Sequence, residues 1–188
     1  MKRAYIIHGW DGSPEELMLQ WIKKSLENKE FEVSVPKMPN PNKPKIKEWV
    51  DKLRDIIRKP DKNIILIGHS VGCQAVLRYL ETINQQVEKV ILIAPWMHLD
   101  KNTIKEEGEE VIEIAKPWME TPINWRKIKE NCDDFVAIFS DNDPYVPLSN
   151  VNMFKKNLDA KILILKNRGH FDPSNNIHKL PELLEFIK

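Results

Sequence analysis

Short apolar runs at 4–7, 64–67, 90–94, 135–139 and 162–165 punctuate the chain, and none of them alternates strictly between apolar and polar residues. Runs of this kind suit strands buried on both faces, the condition of a parallel sheet. Phe31-Glu32-Val33-Ser34-Val35 alternates instead and suits a strand with one more polar face. Helical periods fill the intervals. Ile46, Trp49, Val50, Leu53, Ile56 and Ile57 follow the i, i+3, i+4, i+7 spacing, as do Cys73, Val76, Leu77 and Leu80, and Leu180, Leu183, Leu184 and Ile187. Ser13-Pro14-Glu15-Glu16 reads as the start of the first helix, with a capping Ser, Pro at the first helical position and Glu at the third. Strands taking turns with helices imply an α/β fold with a parallel sheet and right-handed crossovers.

With 188 residues and no convincing linker or internal repeat, the chain reads as a single domain over 1–188. Two stretches break the rhythm. Residues 36–44 hold four of the 13 prolines and read as a stiff surface loop. The interval 96–131 is the longest between strands and contains three of the six tryptophans, enough for a small cap. A formal charge of +1 gives no reason to expect nucleic acid or an anionic membrane as partner. No apolar stretch approaches the ~18–20 residues of a membrane span, and His8 arrives before a signal-peptide core could form. The two cysteines, Cys73 and Cys132, match no zinc or redox spacing, so a reduced, cytoplasmic setting is expected.

The strongest local signal is Gly68-His69-Ser70-Val71-Gly72, between an apolar run and a helical period. A nucleophile elbow needs this context: a sharp turn lifts the hydroxyl above the sheet, and bulky neighbours two residues away would collide. The bland alternative is a glycine-flanked serine in an ordinary turn. A serine needs a base, and the base an orienting acid, in the chain order Ser, Asp or Glu, His. The strand ends supply that order. Ser140-Asp141-Asn142-Asp143 offers the acid, with Asp143 preferred and Asp141 left to turn chemistry, and Gly169-His170 offers the base. An oxyanion would be met by the N–H of Val71 and by one from the loop His8-Gly9-Trp10-Asp11-Gly12-Ser13, most simply that of Trp10. The alternative for His8-Gly9 is a plain turn out of a buried strand.

These four segments together, with Pro144-Tyr145-Val146-Pro147 after Asp143, resemble the α/β-hydrolase superfamily, and the small size is similar to the compact RBBP9/YdeN-like serine hydrolases. The resemblance implies a three-layer sandwich around a mostly parallel sheet of about six strands, the first beside the third, without a large cap. It implies Ser70, Asp143 and His170 as a catalytic triad and Trp10 and Val71 as oxyanion donors. It also allows a protein partner, since some relatives are described as binding proteins.

The expected function is hydrolysis of a small carboxylic ester through an acyl-enzyme, with amides, peptides and thioesters sharing the same triad. The expected partner is a small acyl substrate, and no cofactor or metal is called for. The competing expectations are a binding module that keeps the hydrolase fold, and acyl transfer to an acceptor other than water. Trp96, Met97, Trp118, Met119 and Trp125, in or next to the cap interval, could line an acyl pocket or simply pack that segment onto the core.

Overall fold

The apolar runs become neighbouring strands of one sheet in the computed structural model, which describes residues 1–187. Strands β1 (Arg3–Ile7), β2 (Glu32–Ser34), β3 (Ile64–His69), β4 (Lys89–Ile93), β5 (Phe135–Ser140) and β6 (Lys161–Leu165) lie in the order β2-β1-β3-β4-β5-β6. Every pairing is parallel, with Ile7 beside Gly68 and His69 beside Ile93. All strands therefore finish at one edge, where loops from non-consecutive strands meet. The central strands β3 and β5 are buried along their whole length, as their apolar runs require. The edges differ. The alternating segment pairs only over Glu32–Ser34, and β6, apolar as its run is, leaves Ile164 46% exposed because it has a neighbour on one side only.

Helices α1 (Leu17–Glu27), α2 (Ile46–Ile56), α3 (Val71–Leu80), α4 (Lys101–Glu107), α5 (Glu109–Glu120), α6 (Trp125–Asn131) and α7 (Val151–Leu158) flank the sheet. Helix α3 is buried at all ten positions, more than its apolar face demands. Its polar residues are satisfied by carbonyls of the 96–131 segment. The Gln74 amide donates to the Trp96 and Trp118 carbonyls at 3.0 and 3.1 Å, and the Arg78 guanidinium to those of Trp118 and Thr121 at 3.1 and 2.8 Å. That segment is thus three short helices latched to α3, and no large cap covers the sheet edge among the described residues.

Three local expectations need correction. Ser13-Pro14 does not open α1, which starts at Leu17. The capping bonds form, Glu15 N–H to Ser13 Oγ at 3.2 Å and Ser13 N–H to the Glu16 carboxylate at 2.9 Å, but they close a turn ahead of the helix. The last helical period is a 3-10 helix at Pro181–Phe186, because a spacing of three between buried Leu180 and Leu183 fits that tighter turn equally well. The proline-rich loop is not only surface. Met38 and Pro44 are buried, and the carbonyls of Pro39 and Pro44 accept the indole N–H groups of buried Trp49 and Trp118 at 2.7 and 2.9 Å.

Candidate active site

Ser70 stands between β3 and α3 with φ +52° and ψ −122°, a left-handed backbone that costs a residue with a side chain roughly 1–3 kcal/mol. The flanking glycines make the turn feasible through close approach. A Cβ on Gly68 would lie 2.7 Å from the Cys73 backbone nitrogen, and one on Gly72 2.5 Å from the Ile7 carbonyl oxygen. The turn is tied to β4 by the Ser70 N–H, which donates to the Ile93 carbonyl at 2.9 Å.

Ser70 Oγ lies 2.9 Å from His170 Nε2, and His170 Nδ1 lies 2.8 Å from Asp143 Oδ2. The side chain of Asp143 is 2% exposed, and its other oxygen accepts the N–H groups of Tyr145 and Val146 at 2.9 and 3.0 Å. A carboxylate only accepts, so Nδ1 of His170 carries the hydrogen and Nε2 offers its lone pair to the serine hydroxyl. The groups from three strand ends, 73 and 27 residues apart in sequence by their numbers, thus form one hydrogen-bonded line.

The loop after β5 aligns the loop after β6 almost residue by residue. Asp141 accepts from the N–H of Asn167 at 2.8 Å, Ser140 from Arg168 at 3.0 Å, and Asn142 from Gly169 at 2.8 Å, while Asp143 takes the His170 ring. Asp141 therefore serves a chain segment 26 residues away, not its own turn. His69 adds a support that the chain order of catalytic groups did not suggest. Its Nε2 donates to the His170 carbonyl at 2.8 Å, and burial above all, with the His170 charge beside it, pushes its pKa down to about 4. It is a neutral strut from the elbow to the His170 loop.

A cavity of about 450 Å³ opens over Ser70. Trp10 and Trp96 line it, and Val71 opens α3 beside it. The loop after β1 is pressed against the elbow, since a Cβ on Gly9 would lie 3.2 Å from Ser70 Cβ. The other pocket expectations need correction: Met97, Trp118 and Met119 are not among the lining residues. Trp118 is fully buried, edge-on to Trp49 at 6.2 Å, and Trp125 packs on Phe154 at 6.1 Å. The Met97 N–H is held by the Asn150 side chain at 2.8 Å. Leu99, Ile104, Val111 and Tyr145 supply the apolar wall instead. Ile104 and Val111 lie on α4 and α5, which carry a weak period and no motif, and among the residues expected for the acyl pocket Trp96 reaches the site.

The lining also includes Asp11, Glu16, Glu107 and Asp172, and among the described residues no lysine or arginine. Burial and the charge of Asp172 raise the pKa of Glu16, and Glu107 accepts the Tyr145 hydroxyl at 3.1 Å. Among the described residues no group of three or more His, Cys, Asp or Glu side chains is placed to hold a metal ion. Cys73 and Cys132 are buried free thiols, both pushed up by burial, Cys132 to about 12.

Comparison with known proteins identifies the family and the fold. YdeN of Bacillus subtilis (strain 168) is 27% identical over 188 residues, covering 99% of this chain and 94% of that protein. Its crystal structure superposes with a TM-score of 0.87 over 98% of this chain and 96% of the other. The serine hydrolase RBBP9 of Rattus norvegicus is 31% identical over 92% of this chain and 83% of its own length. A carboxylesterase structure from Nitrososphaera gargenis, at 14% identity and TM-score 0.74 over 99% and 88% of the two chains, shares the fold. A serine hydrolase family profile matches residues 4–188, and the chain belongs to that family, as a compact α/β hydrolase similar to YdeN and RBBP9.

Proposed function

We propose that this hydrolase cleaves small carboxylic esters through an acyl-enzyme on Ser70. The observation that carries the reading is the unbroken line from Asp143 through His170 to Ser70, with hydrogen bonds of 2.8 and 2.9 Å. His170 Nε2 takes the hydroxyl proton as Ser70 Oγ bonds to the ester carbonyl carbon, and the carbonyl π pair moves onto its oxygen. The N–H groups of Trp10 and Val71 stabilise that oxyanion, the second with the amino-terminal dipole of α3 behind it. Collapse of the intermediate breaks the bond to the alkoxide, which leaves with the proton from His170. Water then repeats the sequence on the acyl-enzyme, its proton passing through the same nitrogen, and Ser70 is regenerated. Asp143 keeps the imidazole in the required tautomer and stabilises its cationic form.

The cavity supports a substrate class. Its apolar wall from Trp96, Leu99, Ile104 and Val111 fits a short hydrocarbon acyl group, and its carboxylates repel anions. Neutral or cationic esters are therefore turned over in preference to anionic ones of the same size.

The test is labelling with a fluorophosphonate probe, which reacts with activated serines. Wild type is expected to be labelled, and Ser70→Ala and His170→Ala are expected to abolish labelling. A panel of matched esters, thioesters and amides, each in neutral, cationic and anionic form, then ranks the leaving groups and charges. Well-folded wild type that resists the probe would overturn the reading in favour of a binding role for the fold.

A further inference from the structure

The oxyanion reading places a demand on one peptide unit. The Gly9–Trp10 bond is trans, so the Trp10 N–H and the Gly9 carbonyl point in opposite directions. If that carbonyl turned toward Ser70, the N–H would face away and an acceptor would stand where the oxyanion forms. Whatever grips the Gly9 carbonyl on its far side therefore aims the Trp10 N–H.

His8 and Gly12 supply that grip. His8 Nδ1 lies 2.8 Å from the Gly9 carbonyl oxygen, and the Gly12 N–H donates to the same oxygen at 3.2 Å. The Met38 N–H donates to His8 Nε2 at 3.1 Å, so Nε2 must hold a lone pair and the ring hydrogen must sit on Nδ1. The ring is fully buried and stands edge-on to Trp49 at 5.4 Å, which fixes its plane. Trp49 in turn donates to the Pro39 carbonyl at 2.7 Å, next to the residue that sets the tautomer. The same proline-rich loop holds the oxyanion loop twice more, from Asp11 N–H to the Pro41 carbonyl at 2.8 Å and from Trp10 Nε1 to the Asn42 carbonyl at 3.0 Å.

We infer that His8 is a positioning residue, which locks the Gly9–Trp10 peptide with its N–H toward Ser70, and that the loop at 36–44 is the brace that sets the His8 tautomer. The inference rests on the proposed use of the Trp10 N–H as an oxyanion donor. Burial holds His8 below its ordinary pKa, which is consistent with a neutral ring. The proline content now has a purpose: a loop stiff at four positions keeps the Met38 N–H and the Pro41 and Asn42 carbonyls in place.

Two amide variants separate the roles of the two ring nitrogens. Asn places an amide nitrogen near Nδ1 and keeps the donor to Gly9, whereas Gln reaches only toward Nε2 and keeps the acceptor for Met38. For His8→Gln the fluorophosphonate labelling rate and kcat on a short neutral ester are expected to fall about 100-fold, the effect of losing one oxyanion donor, with KM within twofold. For His8→Asn both rates are expected to stay within about threefold of wild type, while the two variants lose similar thermal stability. Equal losses in the two variants, or an unaffected His8→Gln, would overturn the positioning role. Absent labelling of wild type, or labelling that persists in His170→Ala, would instead strike at the Ser70 reading. A crystal structure of His8→Gln decides the inference in that case as well: a turned Gly9 carbonyl supports it, and an unmoved peptide refutes it.

Discussion

The two walls beside Ser70 are built by different means. The wall carrying Trp10 is held through directional bonds: the His8 ring to the Gly9 carbonyl, the Met38 N–H to the His8 ring, and the Asp11 N–H and Trp10 indole to the Pro41 and Asn42 carbonyls. The wall at 96–131 offers Leu99, Ile104 and Val111 as apolar surface, and its α4 and α5 join at Gly108, where φ is +107° and a Cβ would meet nothing within 4 Å. On the proposed reading the Trp10 N–H meets a developing charge and needs its angle fixed, whereas the acyl group needs only volume. The difference teaches where precision resides in this fold: changes in the first wall should act on rate, and changes in the second on substrate affinity and chain-length preference.

The largest effect is expected beneath both walls. Asp143→Asn should slow acylation by about 10³–10⁴-fold, because the imidazole loses its tautomer control. Asp141→Ala, which removes the acceptor of the Asn167 N–H, should cost less than tenfold in single-turnover labelling. Similar losses in the two would remove the distinction between the acid and its neighbour.

Next comes the latch of the second wall. Arg78→Met removes the donor to the Thr121 carbonyl and leaves the Trp118 carbonyl to Gln74 alone, and should destabilise the protein by about 2 kcal/mol in urea unfolding. If labelling of Ser70 by a small probe fell in proportion, the second wall would be part of the rate machinery and the contrast would fail.

The strut between elbow and base predicts a pH effect. His69 titrates at about 4 when folded against an ordinary 6.5, so the unfolded chain takes up its proton first as pH falls. Its stabilisation is complete above pH 6.5 and lost progressively down to about 4. His69→Gln, which keeps a donor for the His170 carbonyl, should remove about 2 kcal/mol of the stability lost between pH 7.5 and 5. An unchanged pH slope would mean that this ring is not the acid-sensitive group.

The smallest effects test the contrast itself. Gly9→Ala puts a Cβ 3.2 Å from Ser70 Cβ and His69 Nδ1, and should lower kcat about tenfold with KM kept. Ile104→Ala should raise KM about threefold for longer acyl chains with kcat kept. Exchange of the two patterns, read from steady-state kinetics on one ester series, would break the comparison.

Much of this was legible in the residues. Sheet composition follows from apolar runs too short for helices, and the elbow from glycines at a strand end. Asp143 and His170 follow from the chain order that a strand-end triad imposes. The start of α1 and the 3-10 character of Pro181–Phe186 were not legible, since one pattern of capping groups or apolar spacings serves two geometries. The pocket was misread for a related reason. Tryptophan and methionine mark apolar surface without saying which way it faces, and Trp118 spends its indole N–H on Pro44 deep in the core.

By itself the sequence determined the order of elements, the sheet edge where loops would gather and the identity of the groups gathered there, because periodicity and turn chemistry are local. Only tertiary structure decided which carbonyl each buried donor meets. The brace from 36–44 to His8, the strut from His69 to His170 and the latch from Arg78 to 96–131 join segments whose separation in the chain carries no pattern. A hydrogen bond between them exists only once the packed sheet has brought donor and acceptor to within about 3 Å.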